Sequence, residues 1–335
     1  MFLGYHGVGG PITVEKPLYN SEIKNPIFEA AQKFGIRIGD SNGPIQTGFY
    51  DFQCFIRNGQ RCSSAKAYLV PVENRTNLDI VGGAHVRRVL LNGTQVMGVE
   101  FDYNNSTYQG LDPKSTLRSL KFQSWLICLW VTISKIIAEY LCLFSWILKT
   151  LTDATIYKTV FGPYEDKPMA LCLSQILHPK SIGTVRLKST NPYDMPLIDP
   201  NYFADKSDLR DMVEGLKMCQ KIMTSEPLKK AGVKPFETMV PICSIFKADL
   251  DKFFTCFSKF FVVTLSHQVG TAKMGDPKDP TTVVDPQLRV KGIQGLRVVD
   301  ASIMPIVPSG NTNIPTIMVA EKASDIIKRN NKLSI

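Results

Sequence analysis

Residues 266–277, SHQVGTAKMGDP, with 281–305, TTVVDPQLRVKGIQGLRVVDASIMP, and 306–328, IVPSGNTNIPTIMVAEKASDIIK, decide how this chain is read. Two short apolar runs end here in polar residues: Phe260 to Leu265 closes on His267, and Leu296 to Val299 closes on Asp300. Leu296 to Val299 is apolar apart from Arg297 and predicts a largely buried strand, with Asp300-Ala301-Ser302 at its carboxyl end. A Gly-Asn-Thr-Asn turn then opens a helix. Asn313 is placed to cap it, Pro315 fits its first turn, and Ile317, Ala320, Ala323 and Ile327 recur at helical spacing. Strand ends and helix starts are where an α/β sheet gathers its chemistry, and a helix N-terminus offers free amides to a phosphate or another anionic group.

This stretch resembles the C-terminal signature of the glucose-methanol-choline (GMC) oxidoreductases, FAD-dependent alcohol dehydrogenases and oxidases, and within them the insect glucose dehydrogenase-like branch. The resemblance runs through all of Phe260 to Lys328. It implies that His267 is the active-site histidine and Asn311 its partner, a position that is His or Asn elsewhere in the family. It further implies that Asp300 and Ala301 lie at the FAD pyrophosphate and ribityl chain, and Thr312 and Asn313 beside the isoalloxazine. The residue types suit the reaction so implied: a neutral imidazole takes the hydroxyl proton of an alcohol near neutral pH, while hydride leaves the carbinol carbon for the flavin. Asn311 holds the substrate oxygen without titrating. Taken alone, a single His after an apolar run is more often a structural histidine, and Asn311 and Asn313 are ordinary turn and cap residues.

Composition frames this reading. The 335 residues suffice for one large or two ordinary domains, and 44% hydrophobic with 21% charged is globular. The net charge of +9 is scattered, with no basic cluster interleaved with aromatics, so no nucleic-acid partner is expected. Eight cysteines without CxxC or close pairing spell neither a metal site nor a disulfide framework and predict mostly buried thiols; no metal is expected. There is no G-x-S-x-G, and the four histidines are far apart in sequence.

The chain opens at Met1-Phe2-Leu3 and runs straight into Gly4-Tyr5-His6-Gly7-Val8-Gly9-Gly10-Pro11 without a charged leader and apolar core, so no signal peptide is read. Acceptor sequons at Asn74, Asn92, Asn104 and Asn105 weakly support secretion, and the two together fit a secreted ancestor whose leader is missing. Residues 5–16 have the wrong spacing for a phosphate loop and read as a turn into a strand, Ile12 to Val14. A helix over Pro26 to Phe34 with Ile27, Ala30, Ala31 and Phe34 inward follows, then a strand over Gly35 to Asp40. Ser63 or Ser64 caps a helix from Ala65. Strands over Asn77 to Ile80, Val86 to Leu91 and Val96 to Tyr103 come next, the last two joined at Asn92-Gly93. In the family, the residue matching Val86 meets the FAD adenine through its backbone.

Leu111 to Thr150 departs from the family pattern. Phe122 to Leu148 within it holds all three tryptophans, and Lys135 and Glu139 interrupt it. An amphipathic or buried helix is the favoured reading; a membrane-inserted or membrane-surface helix, and disordered or mistranslated sequence, stay open. Beyond it come a strand over Thr184 to Leu187 and a helix over Lys206 to Thr224 with Leu209, Met212, Val213, Leu216, Cys219 and Met223 on its apolar face. His178, before a proline and with no acidic neighbour, reads as a structural loop histidine.

No G-x-G-x-x-G turn occurs in the sequence, so the resemblance lacks the family's pyrophosphate cradle. The expected fold is mixed α/β: an incomplete FAD-binding domain with a substrate-binding domain built on an antiparallel sheet. The FAD-binding remnant is expected at 75–105 and 260–330, the substrate-binding domain at 1–74 and 160–259, and an atypical apolar helical insert at 111–150. The resemblance implies an oxidoreductase taking an alcohol or sugar, FAD as cofactor, a quinone or oxygen as electron acceptor, and an extracellular setting, with membrane contact through 122–148 left open. The alternative is a non-catalytic degenerate copy that keeps the substrate domain as a binding module.

Overall fold

The computed structural model describes residues 4–16, 20–51, 53–111, 154–165 and 167–330, so the readings placed on 122–148 lie outside the described residues. In chain order its helices are α1 (Lys24–Lys33), α2 (Ala154–Val160), α3 (Lys206–Met223), α4 (Glu226–Lys230), α5 (Leu250–Phe261) and α6 (Asn313–Asn330). The strands are β1 (Ile38–Gly39), β2 (Phe49–Tyr50), β3 (Ile56–Arg57), β4 (Gln60–Arg61), β5 (His85–Asn92), β6 (Gln95–Tyr103), β7 (Ser106–Leu111), β8 (Thr184–Arg186) and β9 (Leu197–Asp199). The fold is mixed α/β. Two compact units are present, one holding described residues of 4–79, 154–175 and 210–261, the other those of 80–111, 176–209 and 262–330.

In the first unit, α1 and α4 stop by the same device. Gly35 and Gly232 take the left-handed backbone, at φ +73 and +84, just past each helix. The next residues, Ile36 and Val233, donate back to Ala31 and Leu228 at 3.0 Å each, satisfying carbonyls the helix would leave orphaned. Ile36 and Val233 also pack on the cluster of Ala30, Ile222 and Leu228. Phe34, expected inward, is exposed, because the chain turns at Gly35 before that side chain reaches the cluster.

A second cluster joins Tyr157, Val160 and Phe161 to Val240 and Cys243, covered by Phe253, Phe257 and Phe261 of α5. Those phenylalanines recur every four residues, and Asp249 caps the helix by accepting from Lys252 N at 3.1 Å. The apolar run beginning at Phe260 is therefore a helix end followed by irregular backbone rather than a strand.

The cysteines correct the expectation of unpaired thiols. Disulfides join Cys172 to Cys219 and Cys243 to Cys256, while Cys54 and Cys62 are buried and free. Pairs separated by 47 and 13 residues carry no local signature. Ile12 to Val14 forms no strand; Glu15 alone bridges Cys54. Ser63, of the two serines considered, accepts from Lys66 N at 3.1 Å as the chain enters the turn at Ala65.

The second unit is built on an antiparallel meander, β5-β6-β7. Asn77 to Ile80 is not a strand. The first hairpin closes with Asn92 opposite Gln95, so its loop is Gly93-Thr94, one residue beyond the expected Asn92-Gly93; the positive φ of +58 falls on Gly93. The second closes with Tyr103 opposite Ser106 through Asn104-Asn105, both left-handed at φ +48 and +60. Strand β7 has no clear alternation and is absent from the sequence reading. Strands β8 and β9 pair antiparallel, Thr184 to Asp199.

Leu296 to Val299 makes only an isolated bridge, Arg297 to Arg289, and is not a ladder strand. Val298 and Val299 pack against the cluster of Val284, Leu288, Ile303 and Ala323, but Leu296 to Val299 are half-buried rather than largely buried. Leu288 sits at φ +63, unusual for a branched side chain. The Asp285 carboxylate holds it there by accepting from Gln287 N, Arg289 N and Arg289 Nε at 2.8 to 3.0 Å.

Candidate active site

Every residue singled out above for chemistry lies in the second unit. His267 follows Ser266, which is left-handed at φ +60. The Thr264 hydroxyl steadies this bend by accepting from Ser266 N at 2.9 Å and Gln268 Nε2 at 2.7 Å. The ring is half-buried, and its Nδ1 is fully buried with no hydrogen-bond partner among the described residues. Burial pushes the imidazole pKa below its ordinary 6.5. His267 is therefore neutral at neutral pH, with an unsatisfied ring nitrogen of the kind that a ligand or water completes.

Downstream of His267 the chain runs alongside the segment after Asp300. Ala272 N donates to Ser302 O at 3.0 Å and Met274 N to Ile303 O at 2.8 Å. Asp300 is exposed, and one of its carboxylate oxygens accepts from Ser302 N at 2.8 Å and from the Ser302 hydroxyl, capping the short turn Ala301–Ile303. Ala301 is half-buried behind it.

Helix α6 starts at Asn313, so Thr312 takes the cap position expected of Asn313, its carbonyl accepting from Thr316 N at 3.0 Å. Thr312 is buried, while Asn311 and Asn313 are exposed. Val319 and Ala323 seat the helix on Val284, Leu288 and Ile303; Ala320, expected inward, is exposed. Its first turn has no acidic residue, and Lys328 and Arg329 complement the dipole at its far end.

The turn before α6 has a partner that sequence reasoning missed. His178 Nε2 and the Ser309 hydroxyl are 2.9 Å apart, two residues before Asn311. No acidic residue marks that pairing, so nothing local to His178 announces it. Val86 is half-buried on β5 opposite Phe101. The meander is tied to 291–296 where Gln294 N donates to Thr94 O at 2.8 Å and Val96 N to Gln294 O at 3.0 Å. No hydrogen bond links the His267 and Asn311 side chains among the described residues.

Family models for GMC oxidoreductase match residues 5–121 and 179–320. The chain belongs to the GMC oxidoreductase family. Among its relatives, alcohol dehydrogenase [acceptor] of Pseudomonas putida is 31% identical across 97% of this chain and 72% of that protein. Glucose dehydrogenase [FAD, quinone] of Drosophila pseudoobscura pseudoobscura is 29% identical across 97% of this chain. This GMC oxidoreductase chain spans 65% of the length of that relative. The fold is shared with the crystal structure of pyridoxine 4-oxidase from Mesorbium loti, at a TM-score of 0.70 and 23% identity over 96% of this chain and 73% of that one. Residues 122–178 are matched by neither family model.

Proposed function

We propose that this chain carries the substrate-side chemistry of an FAD-dependent oxidoreductase acting on the CH-OH group of an alcohol or sugar. The observation that carries this reading is the buried, unpartnered Nδ1 of a desolvated His267 within the family's histidine motif. His267 takes the hydroxyl proton of the donor, because burial keeps its imidazole neutral and able to accept. Asn311, exposed at the turn before α6, holds the donor oxygen with its amide and so fixes the carbinol carbon.

The residues present fit the flavin end of FAD. The buried Thr312, the exposed Asn313 and the start of α6 would hold the isoalloxazine, Asp300 and Ala301 the ribityl chain and pyrophosphate, and the backbone of Val86 the adenine. FAD, when bound, supplies the hydride acceptor. The pyrophosphate cradle is different: the sequence has no G-x-G-x-x-G, and its charge-assisted bonds are worth roughly 1.5 to 3 kcal/mol each. In this reading 75–105 and 260–330 form the FAD-binding part and 1–74 with 160–259 the substrate-binding part, the electron acceptor is a quinone or oxygen, and the two disulfides suit an oxidising, extracellular setting.

The alternative reading is a non-catalytic copy that binds a small alcohol or sugar without flavin. Flavin absorbance of the purified full chain after incubation with FAD separates the two. Retained, protein-bound FAD is expected; a colourless chain that still binds alcohol or sugar leaves the binding-module reading.

A further inference from the structure

We propose that the Asn104-Asn105 turn carries one N-linked glycan. This hairpin tip holds two overlapping acceptor sequons, Asn104-Asn105-Ser106 and Asn105-Ser106-Thr107, within four residues. Their left-handed backbones account for the choice of asparagine in a two-residue loop, since asparagine tolerates that region. The loop does not require a hydroxyl at Ser106, two places beyond Asn104, while the Thr107 hydroxyl, two beyond Asn105, also donates to Asp102.

Both asparagines are exposed, as are Tyr103, Ser106 and Thr107 around them. The turn rims an open, polar hollow of about 470 Å³ bordered by His85, Asp102 and Tyr193, so one side of the tip is free to take a bulky polar group. The hollow has firm walls: His85 and Tyr193 stack with ring centroids 4.3 Å apart, and Tyr193 donates to Asp102, which also accepts from Thr107 Oγ1 at 2.6 Å. A sugar placed there meets an aromatic edge and fixed polar groups.

An independent observation points to the same compartment. Two disulfides lie in the other unit, and stable structural disulfides belong to the oxidising environment in which oligosaccharyl transfer takes place. In that transfer the asparagine Nδ2 forms a bond to the anomeric carbon of an oligosaccharide carried on a lipid diphosphate. The bond from that carbon to the diphosphate oxygen breaks, the lipid diphosphate leaves with the electron pair, and the amide proton passes to a base of the transferase.

The test is to produce the full chain through a eukaryotic secretory pathway behind a cleavable leader. Enzymatic release of glycans in heavy-oxygen water then converts each occupied asparagine into a labelled aspartate. Label at Asn104 or Asn105 is expected in the peptide spanning 95–111, and the Asn104→Gln, Asn105→Gln double variant should migrate smaller by one glycan. A Ser106→Ala, Thr107→Val variant keeps both turn asparagines, removes both sequons and should lose the same mass. Recovery of the wild-type peptide without label overturns the proposal, whether or not Asn74 and Asn92 are occupied. The outcome does not depend on flavin or on alcohol oxidation.

Discussion

The backbone N–H of Met274 donates to the carbonyl of Ile303 at 2.8 Å, joining the irregular segment after His267 to the turn that Asp300 caps. With Ala272 N on Ser302 O beside it, this bond fixes the register between the two halves of the C-terminal signature. The apolar residues on either side, Met274 and Ile303, belong to the cluster that seats α6. Backbone pairing and core packing thus tie residues 272–274 to the aspartate turn and to α6.

Both disulfides should stabilise the first unit chiefly by restricting the unfolded chain. By loop length, Cys172–Cys219, spanning 47 residues, is expected to contribute about 4 kcal/mol, and Cys243–Cys256, spanning 13, about 3 kcal/mol. Urea unfolding of the paired Cys→Ser variants, under oxidising and reducing conditions, measures each. Wild type and variants should converge once reduced.

Asp208 is 2% exposed, and its carboxylate accepts from Lys180 N at 2.9 Å and Ser181 N at 2.8 Å. Burial raises its pKa, but these bonds outweigh burial and hold it below the ordinary 3.8. Asp208→Ala leaves two amides unsatisfied and should cost about 2 to 4 kcal/mol in chemical denaturation. The folded pKa being the lower one, the stabilisation is complete above pH 3.8 and fades as pH falls through the folded value; Asp208→Ala should lack that acid-side loss.

His267 gives the same sign in a higher pH window. Its folded pKa lies below the unfolded 6.5, so on acidification the unfolded chain takes up the proton first. Stability therefore falls as pH drops from about 6.5 toward the folded value. Denaturation midpoints measured from pH 8 to pH 5 should show this slope in the wild type and a shallower one in His267→Gln.

Several features were legible because their signal is local. Alternating apolar residues on either side of Asn92-Gly93 announced the first hairpin, and the four-residue recurrence from Leu209 to Met223 announced α3. The loop itself moved by one residue because glycine, rather than asparagine, takes the left-handed position. Leu296 to Val299 shows the limit of apolar runs: they report core packing, but whether a neighbour lies in register depends on distant residues such as Arg289. Cysteine pairing and the His178–Ser309 contact are likewise tertiary, with partners 47, 13 and 131 residues apart. The roles proposed for His267 and Asn311 came from the motif; their burial and partners came only from the structure.

The most direct measurement is anaerobic mixing of the FAD-loaded chain with a panel of primary alcohols and sugars, following loss of the oxidised-flavin absorbance. At least one donor should bleach the wild type at neutral pH. His267→Gln should slow that step about 10²- to 10⁴-fold, and Asn311→Ala should slow it while raising the donor concentration required. No bleaching by any donor in the wild type, or bleaching in His267→Gln at the wild-type rate, would remove the basis for assigning proton abstraction to His267.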